Sequence, residues 1–277
     1  MTEETRREEL KKDEQTVKEV EDSVKASGGK GKKEINYETT VTLPSKGLLY
    51  HGEIPAEITM RGMTTREEKV MYASQGGDVF KKILKSCIVE PKNIDINRLT
   101  ASDESFLILQ LRMITYGDKY KVSVVCPHCE TRDEYEIMLS DFDVNYLEDT
   151  FEEPIDVELP RSGDKVSIRL LRNEDDEFII KYARKHSRQF NLDFREVEYV
   201  CRLARYIVKI NDEEVDFITA RDYVERMPSL DAAKIRTVLR KIDFGVDTTA
   251  NVICRNCGED FDFDMPMSSE FFRPTVE

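Results

Sequence analysis

Four of the six cysteines fall in two Cys-x-x-Cys turns. Cys126 and Cys129 lie in VVCPHCETRDEYE (124–136), and Cys254 and Cys257 in VICRNCGEDFDFD (252–264). A β-branched run leads into each turn, and alternating acidic and aromatic residues follow it. Two thiolate pairs at this spacing supply the four soft ligands of a tetrahedral structural zinc site. One pair alone is a weak signal; two in matching strand–turn–strand contexts make a strong one. The alternatives are a disulfide, metal-free turns and a redox pair. A thioredoxin-like Cys-x-x-Cys opens a helix, whereas β-formers follow here. The expectation is one zinc ion held by Cys126, Cys129, Cys254 and Cys257, because neither stretch carries a second ligand pair of its own. A homo-oligomer in which two chains share ions between like stretches stays open.

The remaining reactive residue types carry less. His128 sits inside the first turn as a bystander, and His51 and His186 have no partner motif. Cys87 and Cys201 fall on apolar helix faces, where a thiol behaves as a small hydrophobe. Glu67-Glu68 and Asp175-Asp176 could be read as catalytic carboxylates. Both pairs, however, open predicted helices, where backbone N–H groups favour negative charge. Gly28-Gly29-Lys30-Gly31-Lys32 lacks the spacing of a phosphate loop, and no dinucleotide, metalloprotease or serine-hydrolase motif is present. The reading is a protein that is not an enzyme.

What must position the cysteines is unusual, because Cys126 and Cys254 are 128 residues apart. A compact zinc ribbon separates its pairs by roughly 15–20 residues. An internal duplication accounts for the distance. At the same offset Asp103 falls on Asp231, Leu111 on Leu239, Arg112 on Arg240, Tyr116 on Phe244 and Gly117 on Gly245. Upstream the offset changes, as loop insertions require. Leu43-Pro44 with Gly47 resembles Leu159-Pro160 with Gly163, and Ile58–Arg61 resembles Val166–Arg169. The predicted class is α+β: two copies of a strand–helix–CxxC hairpin unit with zinc-ribbon-like knuckles. The predicted organisation is a charged arm over 1–33, repeats over 34–150 and 151–267, and a tail over 268–277.

Within the first repeat, Leu48-Leu49-Tyr50 is expected to be extended. A helix ending at Tyr116-Gly117 is apolar on more than one side and is expected to be central. Phe271 and Phe272 in the tail are read as apolar groups offered to a neighbour. Residues 1–33 hold nine basic and nine acidic side chains and almost no large apolar ones. Such a segment buries too little surface to offset its conformational entropy. The net charge of −14 argues against general nucleic-acid binding, which needs an excess of Lys and Arg. No apolar run approaches the roughly 20 residues that cross a bilayer, and the N-terminus lacks a signal-like apolar core. No membrane partner is therefore expected, and the cytoplasm of the producing cell is the expected compartment.

Four passages carry a family resemblance: LPSKGLLY (43–50), ITMRGMTTREEK (58–69), DESFLILQLRMITYGD (103–118) and VVCPHC (124–129). Together they resemble the baseplate protein family of T-even-type contractile-tailed bacteriophages, whose members are associated with assembly of the baseplate hub. The likeness is clear from Leu43 to Leu139 and weaker in the second repeat. It implies a non-enzymatic structural or assembly protein, with other baseplate or hub proteins as partners. It would be made in the infected host's cytoplasm and act at the virion tail. The zinc site is read from the cysteines and is not carried over from the family. The competing class is a zinc-ribbon regulator binding nucleic acid or a polymerase, which the cysteine pairs support and the acidic charge opposes.

Overall fold

The computed structural model describes residues 38–73, 78–266 and 269–272. The charged arm over 1–33 lies outside them. Two stretches of chain build elements in the same order. In the first, β1 (Glu38–Thr42) and β2 (Glu57–Arg61) pair antiparallel, and α1 (Thr65–Ala73) and α2 (Asp78–Cys87) follow. Then β3 (Ile88–Glu90) returns to the free side of β2, ahead of α3 (Ala101–Tyr116). A hairpin of β4 (Lys119–Val125) and β5 (Arg132–Met138) comes next, and a two-residue strand, β6 (Val144–Asn145), ends the stretch.

The second stretch opens with β7 (Ile155–Glu158) and β8 (Lys165–Ile168), again antiparallel. Two helices, α4 (Asn173–Phe190) and α5 (Phe194–Tyr206), lead to β9 (Ile207–Ile210), which pairs with β8. A short β10 (Glu213–Glu214) and α6 (Phe217–Glu225) have no counterpart among the described residues of the first stretch. Then come α7 (Ser229–Lys241), β11 (Gly245–Val246) and a hairpin of β12 (Thr249–Ile253) and β13 (Asp260–Asp264). The register of β2 against β3 shifts between Thr59 and Met60, and that of β8 against β9 between Ser167 and Ile168. The two irregularities occupy corresponding positions in their sheets.

Corresponding carboxylates lock corresponding turns. Asp103, in the first turn of α3, accepts the Ser45 N–H at 3.0 Å and the Tyr50 hydroxyl. Asp231, in the first turn of α7, accepts the N–H groups of Arg161 at 2.7 Å and Ser162 at 3.0 Å. Both carboxylates are fully buried. Each therefore joins the turn after a Leu-Pro pair to the positive end of a helix. The acidic residues that open α1 and α4 act as caps: Glu67 accepts the Thr64 N–H at 2.9 Å and Asp175 the Arg172 N–H at 2.8 Å. Both also take a part-buried ion pair, from Arg61 at 2.9 Å and from Arg169 at 2.7 Å.

Leu48-Leu49-Tyr50 is a single 3-10 turn and not the extended segment expected. It is bracketed by two left-handed residues, Gly47 (φ 72°) and His51 (φ 49°). That turn buries the neighbours Leu49 and Tyr50 together, which strand alternation cannot do. Gly47 is required twice over, since a Cβ there would lie 2.9 Å from the Ala56 backbone nitrogen. Gly163 shares the positive φ, at 77°, but a Cβ there meets nothing within 4 Å. Gly163→Ala is expected to cost about 1 kcal/mol, the left-handed strain alone. Gly47→Ala should cost about 2 kcal/mol or more, strain plus clash. Urea denaturation of the two variants side by side measures the difference.

The largest core gathers around the β1–β3 sheet and α3, whose Phe106, Leu107, Ile108, Leu109 and Leu111 are all buried. A helix buried on consecutive positions is surrounded by protein, as its sequence predicted. Leu170 and Met265 from the second stretch, and Phe271 and Phe272 from the tail, join that core. Phe271 stacks edge-on against Tyr120 at 5.1 Å, and Phe272 lies 5.7 Å from Phe80. These two phenylalanines thus fill the chain's own interior and are not offered to a neighbour. Their placement also separates Arg112 from Arg240. Arg112 is buried and donates to the carbonyls of Phe271 at 2.9 Å and Gly117 at 3.0 Å, while Arg240 is exposed. A second core lies between the β7–β9 sheet and α5, α6 and α7.

Candidate metal centre

The two hairpins place their turns against one another. Two-stranded hairpins are marginal alone, and each of these buries one face. Val122 and Tyr135 point inward from β4–β5, and Ala250 and Phe261 from β12–β13. Tyr135 and Phe261 meet edge-on at 6.3 Å, and Phe261 clusters with Cys126 and Cys254. The alternation of acidic and aromatic residues after each cysteine pair is this in–out pattern.

The turns themselves have the same hydrogen bonds. The Cys126 N–H donates to the Thr131 carbonyl at 2.9 Å, and the Glu130 N–H to the Cys126 carbonyl at 2.9 Å. In the second turn the Cys254 N–H donates to the Glu259 carbonyl at 2.8 Å, and the Gly258 N–H to the Cys254 carbonyl at 2.9 Å. Each turn needs a positive φ one residue past its second cysteine. Gly258 supplies it at 80°, and Glu130 adopts it at 58°.

The outcome is one cluster. The sulfurs of Cys126, Cys129, Cys254 and Cys257 all lie within 4.8 Å of one another. Across the two hairpins, Cys126 and Cys257 are 3.8 Å apart, and Cys129 and Cys254 are 3.6 Å apart. A tetrahedron with Zn–S bonds of about 2.3 Å has an S···S edge of about 3.8 Å. A disulfide needs about 2.05 Å, and all six cysteines are free thiols. Neither turn opens a helix, unlike a thioredoxin-type redox pair. The donor set therefore fits a metal ion that prefers four soft thiolates, zinc foremost.

Polar groups around the sulfurs favour thiolate. The His128 N–H reaches Cys126 Sγ at 3.4 Å, and the Asn256 amide reaches Cys129 Sγ at 3.6 Å. The Thr131 hydroxyl, with Asn256, pulls the Cys129 thiol down to about 5. Backbone N–H groups of Cys257 and Asn256 lower Cys254. At Cys257 the Glu259 N–H pulls the same way but is outweighed by burial and the adjoining sulfurs, so that thiol is pushed up to about 12. Four sulfurs this close cannot all carry negative charge without a cation among them. Sequence reasoning passed over Thr131 and Asn256. Their only signal was position, two residues after Cys129 and one before Cys257.

The His128 side chain is exposed on the outside of its turn. His128→Ala is expected to leave bound metal per chain unchanged, as elemental analysis of purified protein would show. His51 is exposed, His186 half-buried, and Cys87 and Cys201 are buried in helix-lined cores. None of these lies in the sulfur cluster. Among the described residues no helix is long and apolar enough to cross a membrane, and the four cysteines form the one metal-competent group of His, Cys, Asp and Glu side chains.

No curated protein and no solved structure matches the chain. The family described as T4 bacteriophage base plate protein matches residues 34–273, which takes in both hairpins and all four cysteines of the cluster. The match thus extends well past the passages between Leu43 and Leu139 that carried the resemblance. By that match over most of its length, the chain belongs to the T4 bacteriophage base plate protein family.

Proposed function

We propose that the chain is a non-enzymatic structural or assembly protein of the contractile-tail baseplate, acting at its hub through contacts with other baseplate proteins. Family membership over residues 34–273 is the observation that carries this reading. The chemistry agrees with it, since the buried carboxylates are engaged in capping turns and neutralising arginines. In this reading the protein is made in the host cytoplasm and works at the tail.

One zinc ion per chain is assigned to Cys126, Cys129, Cys254 and Cys257, two thiolates from each hairpin. The spacing of the sulfurs supports it. We take the two stretches, 34–150 and 151–267, as copies of one duplicated unit, flanked by an arm over 1–33 and a tail over 268–277. The matching element order, the corresponding register shifts and the paired roles of Asp103 and Asp231 support the duplication. Zinc would then hold the two copies together at their hairpins. Affinity purification from infected cells, with mass spectrometry and zinc quantification on one sample, tests both parts. Baseplate components and one zinc per chain are expected. Absence of tail proteins would remove the assembly role. Two ions per chain, or none, would remove the shared site.

A further inference from the structure

α4, α5 and α6 enclose an open groove of about 330 Å³ on the side of the second stretch where the sequence adds elements absent from the first. A ladder of rings runs along one face of α4. Phe178 and Tyr182 are 6.0 Å apart, Tyr182 and His186 5.5 Å, and His186 and Phe190 4.6 Å. The inner rungs are packed: Phe217 meets Phe178 at 4.8 Å and Tyr182 at 5.0 Å. The outer end is not. Phe190 is 55% exposed, and Leu192, on the groove wall, is 49% exposed. Half-buried Val200 lies on the floor, over the buried Val197 and Cys201.

Charge on the rim says what would cover it. Glu196 and Glu225 line the groove, are exposed, and have no cation within 4 Å among the described residues. Arg221, the cationic side chain of the lining, is already taken by Asp222 at 2.7 Å and by the Tyr182 hydroxyl at 2.8 Å. An apolar strip flanked by carboxylates without counter-ions matches an amphipathic helix whose apolar ridge is bordered by Lys or Arg. We infer that this groove docks a basic amphipathic helix of a partner protein. The inference goes beyond the baseplate assignment and is independent of the metal, which lies in other elements.

The test uses the full-length, metal-loaded chain and two synthetic helical peptides with the same leucine ridge, one flanked by lysines and one by glutamates. A third peptide with lysine flanks and a serine ridge controls for attraction to an acidic protein. Fluorescence anisotropy is read at about 0.15 M salt, where charges beyond roughly 8 Å are screened. Only the leucine–lysine peptide is expected to bind. Phe190→Ser with Leu192→Ser, both at exposed positions, should weaken it at least tenfold. Glu196→Lys with Glu225→Lys should transfer the preference to the glutamate-flanked peptide. The inference is overturned if the serine-ridge peptide binds equally, if no peptide binds, or if either pair of substitutions leaves binding unchanged. It is equally overturned if Phe190→Ser with Leu192→Ser instead abolishes self-association of the chain, since a second copy would then be the occupant.

Discussion

With zinc at the four thiolates, as proposed, its removal is expected to melt the two hairpins while leaving the helical cores folded. A structural zinc contributes on the order of 10–16 kcal/mol of apparent binding energy in small zinc domains. What remains at the hairpin tips without it is a small cluster: Phe261 edge-on to Tyr135, with Val124, Val252 and Phe263 packed beside them. Two-stranded sheets with so little apolar support do not persist in water. The bases of the hairpins are anchored differently, because Leu139 and Met265 belong to the main core. Loss of metal should therefore expose amides of β4, β5, β12 and β13 to hydrogen exchange from the tips downward. Those of α3 and α5 should keep their protection.

Substitution makes the prediction sharper. Cys126→Ser and Cys254→Ser remove ligands from opposite hairpins, yet each should lower bound zinc from one ion per chain to essentially none. Both should expose all four hairpin strands, since in the proposed site one ion serves both turns. If Cys126→Ser disturbed only β4 and β5 and left zinc on the second pair, each hairpin would hold its own ion. Native mass spectrometry and hydrogen exchange on the two variants decide between these outcomes.

The cysteines were legible because ligation restricts both residue type and spacing, and the repeat offset placed the pairs in matching contexts before any coordinates. Helix α3 was legible from its breadth of apolar positions. Asp103 and Asp231 appeared in the alignment of the two stretches, but their partners did not. A carboxylate that accepts backbone N–H groups about 60 or 70 residues away leaves no mark on the type of the donor residue. The turn at Leu48–Tyr50 was misread for a related reason: three apolar residues in a row fit either a buried strand or a turn with two neighbours pointing inward, and Gly47 decides it only once its approach to Ala56 is seen. Arg112 and Arg240 align in sequence and diverge in role because Phe271 and Phe272 fold back over one of them. Asymmetry added by a tail cannot be read from an offset that ends before it.

The second large effect is expected at Asp175. Its carboxylate is fully buried and takes hydrogen bonds from Arg169 at 2.7 and 2.8 Å, Arg205 at 2.6 Å and the Arg172 N–H at 2.8 Å. Asp175→Ala leaves two guanidinium groups facing a void and one helix-capping N–H unpaired. Breaking a buried pair from one side costs about 3–5 kcal/mol. The low end applies, because Arg169 and Arg205 retain 25% and 32% side-chain exposure and can rehydrate. Arg202, whose pairs with Asp176 and Glu198 are all about a third exposed, should lose under about 1 kcal/mol on replacement by alanine. Burial alone would raise the Asp175 carboxyl, but the Arg169 hydrogen bonds and the Arg172 N–H outweigh it and hold it below the usual carboxylate range. A depressed folded-state pKa gives stability that is complete above the unfolded value of about 3.9 and is lost as pH falls through the folded one. Wild-type stability should thus drop on acidification below about pH 4, and Asp175→Asn should flatten that limb while lowering stability at neutral pH. Glu67, lowered in the same sense by Arg61, Ser86 and Thr64 against its burial, should respond alike to Glu67→Gln. Urea titrations at pH 7 and pH 3 test both. Equal acid slopes in wild type and both variants would mean that neither pair is held charged in the folded chain.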